Sequence, residues 1–461
     1  MYNGIIAHER ILVNIVVLKR YTEKLIKRRS LKAMKKVSFI VLGAGSRGEA
    51  YSKYAISNPD KMEIVGVAEP VEARRLRFKE KYNIPEENVV NDWKELMERP
   101  KMADAVIIAT QDRMHFEPAM MAIEKGYHLL LEKPIAPTPE ECWQVAMAAE
   151  KKGVHVIIGH VLRYAPFFCA LKKLILDGKI GQVMNVNHIE GIGNIHFSHS
   201  YVRGNWHVEN ESASMLLAKT CHDFDIIQWL VDKELKRVQS FGSLTHFTKE
   251  NKPEGSPERC IDGCPHSETC PYNNVKLYLE DKKNAWFRTA ATMAPVDLNA
   301  TDEEVEKCLR ESTYGLCVYN SDNDVLDHQT VNMEFEDGVI ATFTVSAFNK
   351  GGRKITVMGT KGEMIGDMGT GDINVYTYED KKSEIVKSSD VLQVESILGG
   401  HGGGDSRLIK ALVELIAEGQ TIVSHCSATV SAKNHLAVFA AEESRHNGTV
   451  VDVKEYIKRF D

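Results

Sequence analysis

The stretch Lys36-Val37-Ser38-Phe39-Ile40-Val41-Leu42-Gly43-Ala44-Gly45-Ser46-Arg47-Gly48 decides the fold. Residues 36–42 are short, apolar and β-branched, the signature of a strand buried on both faces of a parallel sheet. The run ends in G-x-G-x-x-G, and a helix-like stretch, residues 49–57, follows. In that strand–turn–helix setting each glycine has a task. Gly43 permits the tight turn, Gly45 lets a pyrophosphate approach the backbone, and Gly48 lets helix and strand pack closely. The helix N-terminus then faces the phosphates. Gly43, Ala44, Gly45, Ser46, Arg47 and Gly48 are therefore the candidate phosphate cradle.

The next strand, residues 63–68, runs into Glu69, 21 residues beyond Gly48. An acid about 20 residues past the glycines bonds the ribose diol of a dinucleotide. Its charge repels a 2′-phosphate, so NAD is favoured over NADP, a preference that the nearby Arg74 and Arg75 weaken. Helix-like and strand-like stretches then take turns. Residues 71–82, 92–98, 114–125 and 138–151 read as helices. Residues 104–109, 127–131 and 154–158 read as strands. Such alternation predicts a doubly wound parallel sheet, whose ligands sit at the carboxyl ends of the strands. Those ends carry Thr110-Gln111-Asp112-Arg113, Glu132-Lys133-Pro134 and Gly159-His160.

Composition narrows the class. At about 150 residues per domain, 461 residues hold two or three domains. Hydrophobic residues at 43% and charged residues at 26% exclude a disordered chain, a collagen-like repeat and a coiled coil. No apolar run reaches the ~18–20 residues of a membrane span. The net charge of −6 lacks the basic excess of a nucleic-acid binder. Nine cysteines, an odd count, argue for a reducing compartment, with the cytoplasm as the default location. Residues 1–36 stand apart, with ten Lys/Arg against two Glu. A strand begins just after Met34, so residues 1–34 read as a basic N-terminal extension. They are followed by a dinucleotide-binding domain over 35–160 and a second domain over 161–461.

The motifs Gly43–Gly48, Ala109-Thr110 with His115, Glu132-Lys133-Pro134, and Leu216-Leu217 followed by His222 and Asp225 come in one order. In that order and spacing the chain resembles the Gfo/Idh/MocA oxidoreductases, named after glucose–fructose oxidoreductase and inositol dehydrogenase. The resemblance covers most of the chain from Lys36 onward. It implies an α/β architecture: a Rossmann domain, then an α/β domain with a large, mainly antiparallel sheet. One face of that sheet lines a carbohydrate pocket, and the other makes a homo-oligomer, a dimer or tetramer. Alternating residues at 329–335, 339–347 and 354–358 agree with strands of such a sheet. The resemblance also places Thr110, His115, Glu132 and Lys133 with Glu69 around the cofactor.

Lys133 and His222 are the candidate catalytic residues. An ammonium beside a substrate alcohol stabilises the developing alkoxide, and an imidazole titrating near neutrality suits removal of the hydroxyl proton. Residues 215–230 read as one helix, with His222, Asp225 and Trp229 on one face. Many members of the family carry an aspartate four residues before the histidine; here that position is Ala218, followed by Lys219. Lys219 is left as a candidate second cation for a polyol or acidic sugar, and Asp223 or Asp225 as candidates to orient the imidazole. The segment His199-Ser200-Tyr201-Val202-Arg203-Gly204-Asn205-Trp206 has the donors and aromatic face of a sugar subsite. His199, Arg203 and Trp206 join Arg163, Tyr164, Lys219 and His401 as candidate substrate ligands. Asp405, opening a helix at 406–417, reads as its N-cap.

Cys260, Cys264 and Cys270 crowd one loop punctuated by Pro257, Pro265 and Pro271. A structural zinc wants four ligands, and Cys317, His266 or Cys308 are candidates to complete one. Buried or redox-labile thiols are an equal reading. No catalytic metal is expected.

Three functions compete. The first is NAD-dependent oxidation of a sugar, glycoside or sugar-acid hydroxyl. The second is redox-neutral, NAD-assisted glycoside cleavage through transient oxidation, elimination, water addition and re-reduction. The third is a non-catalytic dinucleotide sensor.

Overall fold

The computed structural model describes residues 35–281, 285–295, 298–392, 400–419 and 426–460. The N-terminal extension, residues 1–34, lies outside them. Six strands form the first sheet: β1 (Val37–Leu42), β2 (Met62–Ala68), β3 (Val89–Val90), β4 (Ala105–Ile108), β5 (His128–Leu131) and β6 (Val156–Ile158). All pair in parallel, in the order β3-β2-β1-β4-β5-β6. The order reverses between β1 and β4, and a crevice for ligands opens at such a switch point.

Strands β1, β4, β5 and β6 are almost wholly buried, as sheets covered on both faces require. Helix Ser46–Ser57 and helix Gly404–Ala417 cover one face. Leu408, Ile409, Leu412 and Val413 pack with Val37, Phe39, Val41, Ala105 and Ile107 in a single apolar cluster. A helix from far along the chain thus completes the first layer. Ser427 extends that link through an antiparallel bridge to Ile157.

The second sheet has nine strands: β7 (Val183–Gly191), β8 (Leu235–Ser243), β9 (His328–Phe335), β10 (Ile340–Ser346), β11 (Gly352–Gly359), β12 (Gly362–Asp367), β13 (Asp372–Thr377), β14 (Lys382–Lys387) and β15 (Val451–Asp452). Their order is β14-β13-β12-β11-β7-β10-β9-β8-β15. Only the β7–β10 pair is parallel; the rest run antiparallel. Burial alternates along β9 and β10, so one face meets the core and the other meets solvent. Helix Ala428–Asn447 packs between β8 and helix Pro139–Lys152, joining the two layers.

Most sequence-derived elements recur within a residue or two. One does not: residues 215–230 form two helices, Met215–Ala218 and Cys221–Val231. Thr220 Oγ1 donates back to the Leu216 carbonyl, and the Ala218 carbonyl turns outward to accept from Lys133 Nζ. Between β8 and β9 the chain makes a long excursion, residues 244–327. It has its own small core of Tyr278, Ala291, Ala300, Val305 and Leu309. No helix among the described residues is long and apolar enough to cross a membrane.

Candidate active site

The glycine-rich turn leaves β1 with Gly43 at φ +92°, a left-handed value that favours glycine. A Cβ there would lie 2.5 Å from the Ala109 carbonyl oxygen, and one on Gly48 would lie 2.0 Å from that of Gly43. Gly45 differs. A Cβ on it would meet only the Arg74 guanidinium, at 3.7 Å. No protein contact demands a glycine at 45, whereas a pyrophosphate against the backbone does. The turn therefore fits a dinucleotide. The first-turn N–H groups of helix Ser46–Ser57 have no intrahelical acceptors and are the anion donors.

Glu69 stands at the end of β2, buried, with Oε2 accepting from the Ala44 amide at 2.7 Å and Oε1 from the Val71 amide at 2.9 Å. A carboxylate has about four lone-pair sites, so this anchoring leaves capacity for a ribose diol. Arg75 is spent on the Glu69 and Pro70 carbonyls and Asn91. Arg74 alone keeps a cation beside the cradle, although it too donates to the Ala294 carbonyl at 3.3 Å.

Arg47 and Glu132 do not point at the cradle. Arg47 donates to Glu132 at 2.8 Å and to both Asp405 oxygens at 2.9 and 3.0 Å, and lies over the Tyr51 ring. Burial would raise the Glu132 carboxyl, but Arg47, Lys133 and the Tyr51 hydroxyl outweigh it and hold the group below its usual range. Asp405 is not the N-cap: Gly403 takes that place, and Asp405 closes the ion pair that ties helix Gly404–Ala417 to the first layer. Thr110 Oγ1 donates to the Met114 carbonyl. The His115 ring lies between the carbonyls of Pro134, at 2.6 Å, and Thr110, at 3.2 Å. It straps two strand-end loops together.

Lys133 and His222 converge at the carboxyl edge of this sheet. Lys133 Nζ donates to the Ala218 carbonyl. His222 is on the first turn of helix Cys221–Val231 and buried, yet its Nδ1 has no partner. Its ring is edge-on to His160 at 5.9 Å and 5.8 Å from His401, between centroids. Burial first, then the Lys133 ammonium and the neighbouring His401 and His160, push its pKa well below the ordinary value. It is neutral at neutral pH, the form that accepts a proton.

Neither Asp223 nor Asp225 orients it. Asp223 binds His188 at 2.7 Å and Arg353 at 2.7 and 3.1 Å. Asp225 takes a bidentate pair from Arg163 at 2.6 and 2.7 Å, and also meets His160 and Asn434. The carboxylate–histidine pair of the cleft is instead Asp405–His401, at 3.0 Å. An acceptor-only carboxylate fixes the proton on His401 Nδ1, so Nε2 is left as the acceptor.

Several expected substrate ligands are committed elsewhere. Arg163 serves Asp225 and lies over Trp229. Arg203 is fully buried and donates to the Leu316 and Tyr272 carbonyls, both at 2.8 Å. His199 bonds the Tyr278 hydroxyl at 2.7 Å among Trp286, Phe287 and Tyr314; burial takes it to about 3. Tyr164 packs beside the apolar cluster of the first layer. Trp206 donates its indole N–H to Asp112 at 3.1 Å, bridging the two layers. Lys219, at the helix break, keeps a loose 3.6 Å pair with Glu190.

Glu190 and Arg353 were not singled out from the sequence. They are cross-strand neighbours on β7 and β11, their charges meet at 3.0 Å, and Arg353 bridges on to Asp223. Only the strand register, which the sequence does not state, pairs residues so far apart. Among the described residues, His160, Cys221 and His435 hold potential metal-ligand atoms within 4.8 Å of one another. Both ring nitrogens of His435 are engaged, one with the Ser431 carbonyl at 2.7 Å and one with the Ile135 amide at 3.2 Å. Burial pushes the Cys221 thiol up to about 12. The trio is packing behind His222, not a cation site.

A doubly wound sheet with a glycine turn cleared for pyrophosphate, an acid on the second strand, a lysine at a strand end and a neutral histidine on the first turn of a helix define a dinucleotide-binding oxidoreductase. The chain belongs to the Gfo/Idh/MocA oxidoreductase family: residues 37–160 match its NAD-binding Rossmann fold and residues 172–453 its C-terminal α/β domain. It is 24% identical over 351 residues to the putative oxidoreductase YteT of Bacillus subtilis, covering 73% of this chain and 77% of that one. It is 27% identical over 202 residues to inositol 2-dehydrogenase of Salmonella typhimurium, covering 44% of this chain and 56% of that protein. The fold matches levoglucosan dehydrogenase solved with NADH and levoglucosan, with a TM-score of 0.67 at 19% identity, over 91% of this chain and all of that one.

Proposed function

We propose that the protein oxidises a hydroxyl of a sugar, glycoside or sugar acid with NAD. The observation that carries this is the Lys133 ammonium at the carboxyl end of β5 with the buried, neutral His222 imidazole near enough for that ammonium to depress its pKa. NAD, when bound, supplies the hydride acceptor. The neutral His222 imidazole takes the hydroxyl proton. The Lys133 ammonium has three donors; one holds Ala218, and the others stabilise the developing alkoxide. Positioned donors of this kind are worth about 10²–10³ in rate. Lys219, at the helix break with only a loose carboxylate partner, is placed to meet a further hydroxyl or a carboxylate. Its Glu190–Arg353–Asp223 scaffold holds it in place.

The 27% likeness to an inositol 2-dehydrogenase supports a polyhydroxylated substrate. The solvent face of the second sheet exposes Phe241, Ile340, Ile365 and Ile385, which supports a homo-oligomer formed through that face. The odd cysteine count supports a reducing, cytoplasmic setting.

The test is a panel of free sugars, glycosides and sugar acids given with NAD, following NADH absorbance and released aglycone together. NADH rising in step with substrate loss supports the dehydrogenase. Aglycone release without net NADH replaces it with redox-neutral cleavage. Neither signal, with dinucleotide still bound, replaces it with a sensor.

A further inference from the structure

The excursion between β8 and β9 brings four cysteines to one cavity. Cys260, Cys264 and Cys270 of one loop and the distant Cys317 all line it, together with Arg203. Backbone pairing explains the arrival of Cys317. Arg259 and Leu316 form an antiparallel bridge, and the Cys317 amide donates to the Glu258 carbonyl at 2.9 Å. Cys260 and Cys317 therefore follow directly on paired residues. The sequence leaves Cys317, His266 and Cys308 as candidates for a fourth ligand, and the structure separates them. Cys308 lies in the other small core, bonded to the Ala291 carbonyl and Ser312. His266 lines the cavity, but its Nε2 is held by the Glu254 carbonyl at 2.8 Å.

Two further features point to a ligand. Cys270-Pro271-Tyr272 and Cys317-Val318-Tyr319 make the same turn, in which the amide two residues on donates to the sulfur. Arg203, fully buried on the cavity wall, keeps Nη1 without any partner. A buried unpaired guanidinium N–H is costly, and an anionic centre would satisfy it.

We propose that these four cysteines bind a structural zinc ion as a tetrathiolate. Zinc is tetrahedral and takes four thiolates at about 2.3 Å. Four thiolates and one Zn²⁺ carry a net charge of −2, which the Arg203 guanidinium partly offsets while donating Nη1–H to a sulfur. Binding releases the thiol protons to solvent, and no redox step is involved. Among the described residues no three of these sulfurs lie within 4.8 Å of one another, so binding requires the 256–272 loop and the 313–320 segment to close on the ion until each sulfur is about 2.3 Å from it. Both grip Arg203, three residues before Trp206. The metal thereby braces the segment whose indole reaches Asp112 across the substrate cleft.

The experiment is elemental analysis of the full-length protein as purified, with X-ray absorption at the zinc edge. About one zinc per chain with four sulfur ligands is expected. Cys317→Ser and Cys270→Ser should each lower zinc content at least about tenfold, while Cys308→Ser keeps it. An organomercurial titrated into wild type should release the zinc stoichiometrically, a readout that needs no folded variant. No zinc in protein from zinc-replete cells, nitrogen-rich coordination, iron with acid-labile sulfide, or disulfides in place of free thiols in denatured protein would each overturn the proposal.

Discussion

The two ends of the cleft are built by different rules. At the cofactor end, six consecutive residues make the turn, and Glu69, the acid proposed to meet the ribose, is one strand away. At the chemistry end, Lys133, the Ala218 carbonyl, His222, Glu190, Arg353 and His401 arrive from five separate segments. They are held by a helix break, a cross-strand ion pair and a helix borrowed from the C-terminal part of the chain. Binding a dinucleotide needs backbone geometry, which local sequence dictates. Aligning an ammonium and a neutral imidazole needs tertiary packing, because the pKa of His222 is set by burial and by neighbours distant in sequence.

The comparison can be broken first at the chemistry end. His222→Asn and Lys133→Met should each lower kcat by about 10²–10⁴, the range for general acid–base groups. For His222→Asn, NAD affinity measured by fluorescence titration should change less than about threefold, since the proposed role of His222 is on the reacting hydroxyl. A comparable loss of NAD binding would show that the two ends are not separable.

Arg353→Met strands Asp223 and Glu190, both buried. Removing one partner of a buried ion pair costs about 3–5 kcal/mol. Urea unfolding should show that loss, with a raised KM in whatever activity survives, because Lys219 loses its scaffold.

The glycines sharpen the other end. Gly48→Ala forces a Cβ to within 2.0 Å of a backbone oxygen, so stability should fall by about 1–3 kcal/mol, as for overpacking. Gly45→Ala meets nothing closer than 3.7 Å. It should leave the melting temperature within about 2 °C, the shift from a few tenths of a kcal/mol, while weakening NAD at least tenfold. If Gly45→Ala binds NAD normally, the cradle is misassigned.

The smallest effect is in pH. Burial lowers His199 and His435 to about 3 and His222 well below its usual value. A depressed histidine is neutral when folded and binds a proton when unfolded. Its contribution is fully present above the unfolded pKa, about 6.5, and is lost as pH falls toward the folded value. Each such group steepens the loss by at most about 1.4 kcal/mol per pH unit. The acid limb of kcat/KM should likewise lie below pH ~6.5. A limb above that would mean His222 is not the neutral base.

The legible parts of the molecule follow the same division. β1, the glycine turn, Glu69 and the alternation of the first sheet were readable because periodicity and turn chemistry act over a few residues. The places of Lys133 just after a strand and of His222 on a helix were readable through the motif resemblance. The break at Lys219-Thr220 was not, because the bonds that accompany it, Thr220 Oγ1 to the Leu216 carbonyl and Lys133 Nζ to the Ala218 carbonyl, are visible only in three dimensions. Arg163 and Arg203 look like substrate donors in sequence; their carboxylate and carbonyl partners, Asp225, Leu316 and Tyr272, become visible only in three dimensions. Asp405 has the place of a helix cap, yet Arg47 and His401 both claim it.

The central claim is hydride transfer from a sugar carbon at the Lys133–His222 end. Its most direct test is a single turnover of the best sugar substrate carrying deuterium on the oxidised carbon, with the nicotinamide isolated and analysed by mass. The account predicts one deuterium in each NADH formed by wild type, and none above background in His222→Asn over the same time. Substrate that is consumed with its deuterium still on carbon, and NADH without label, would contradict it.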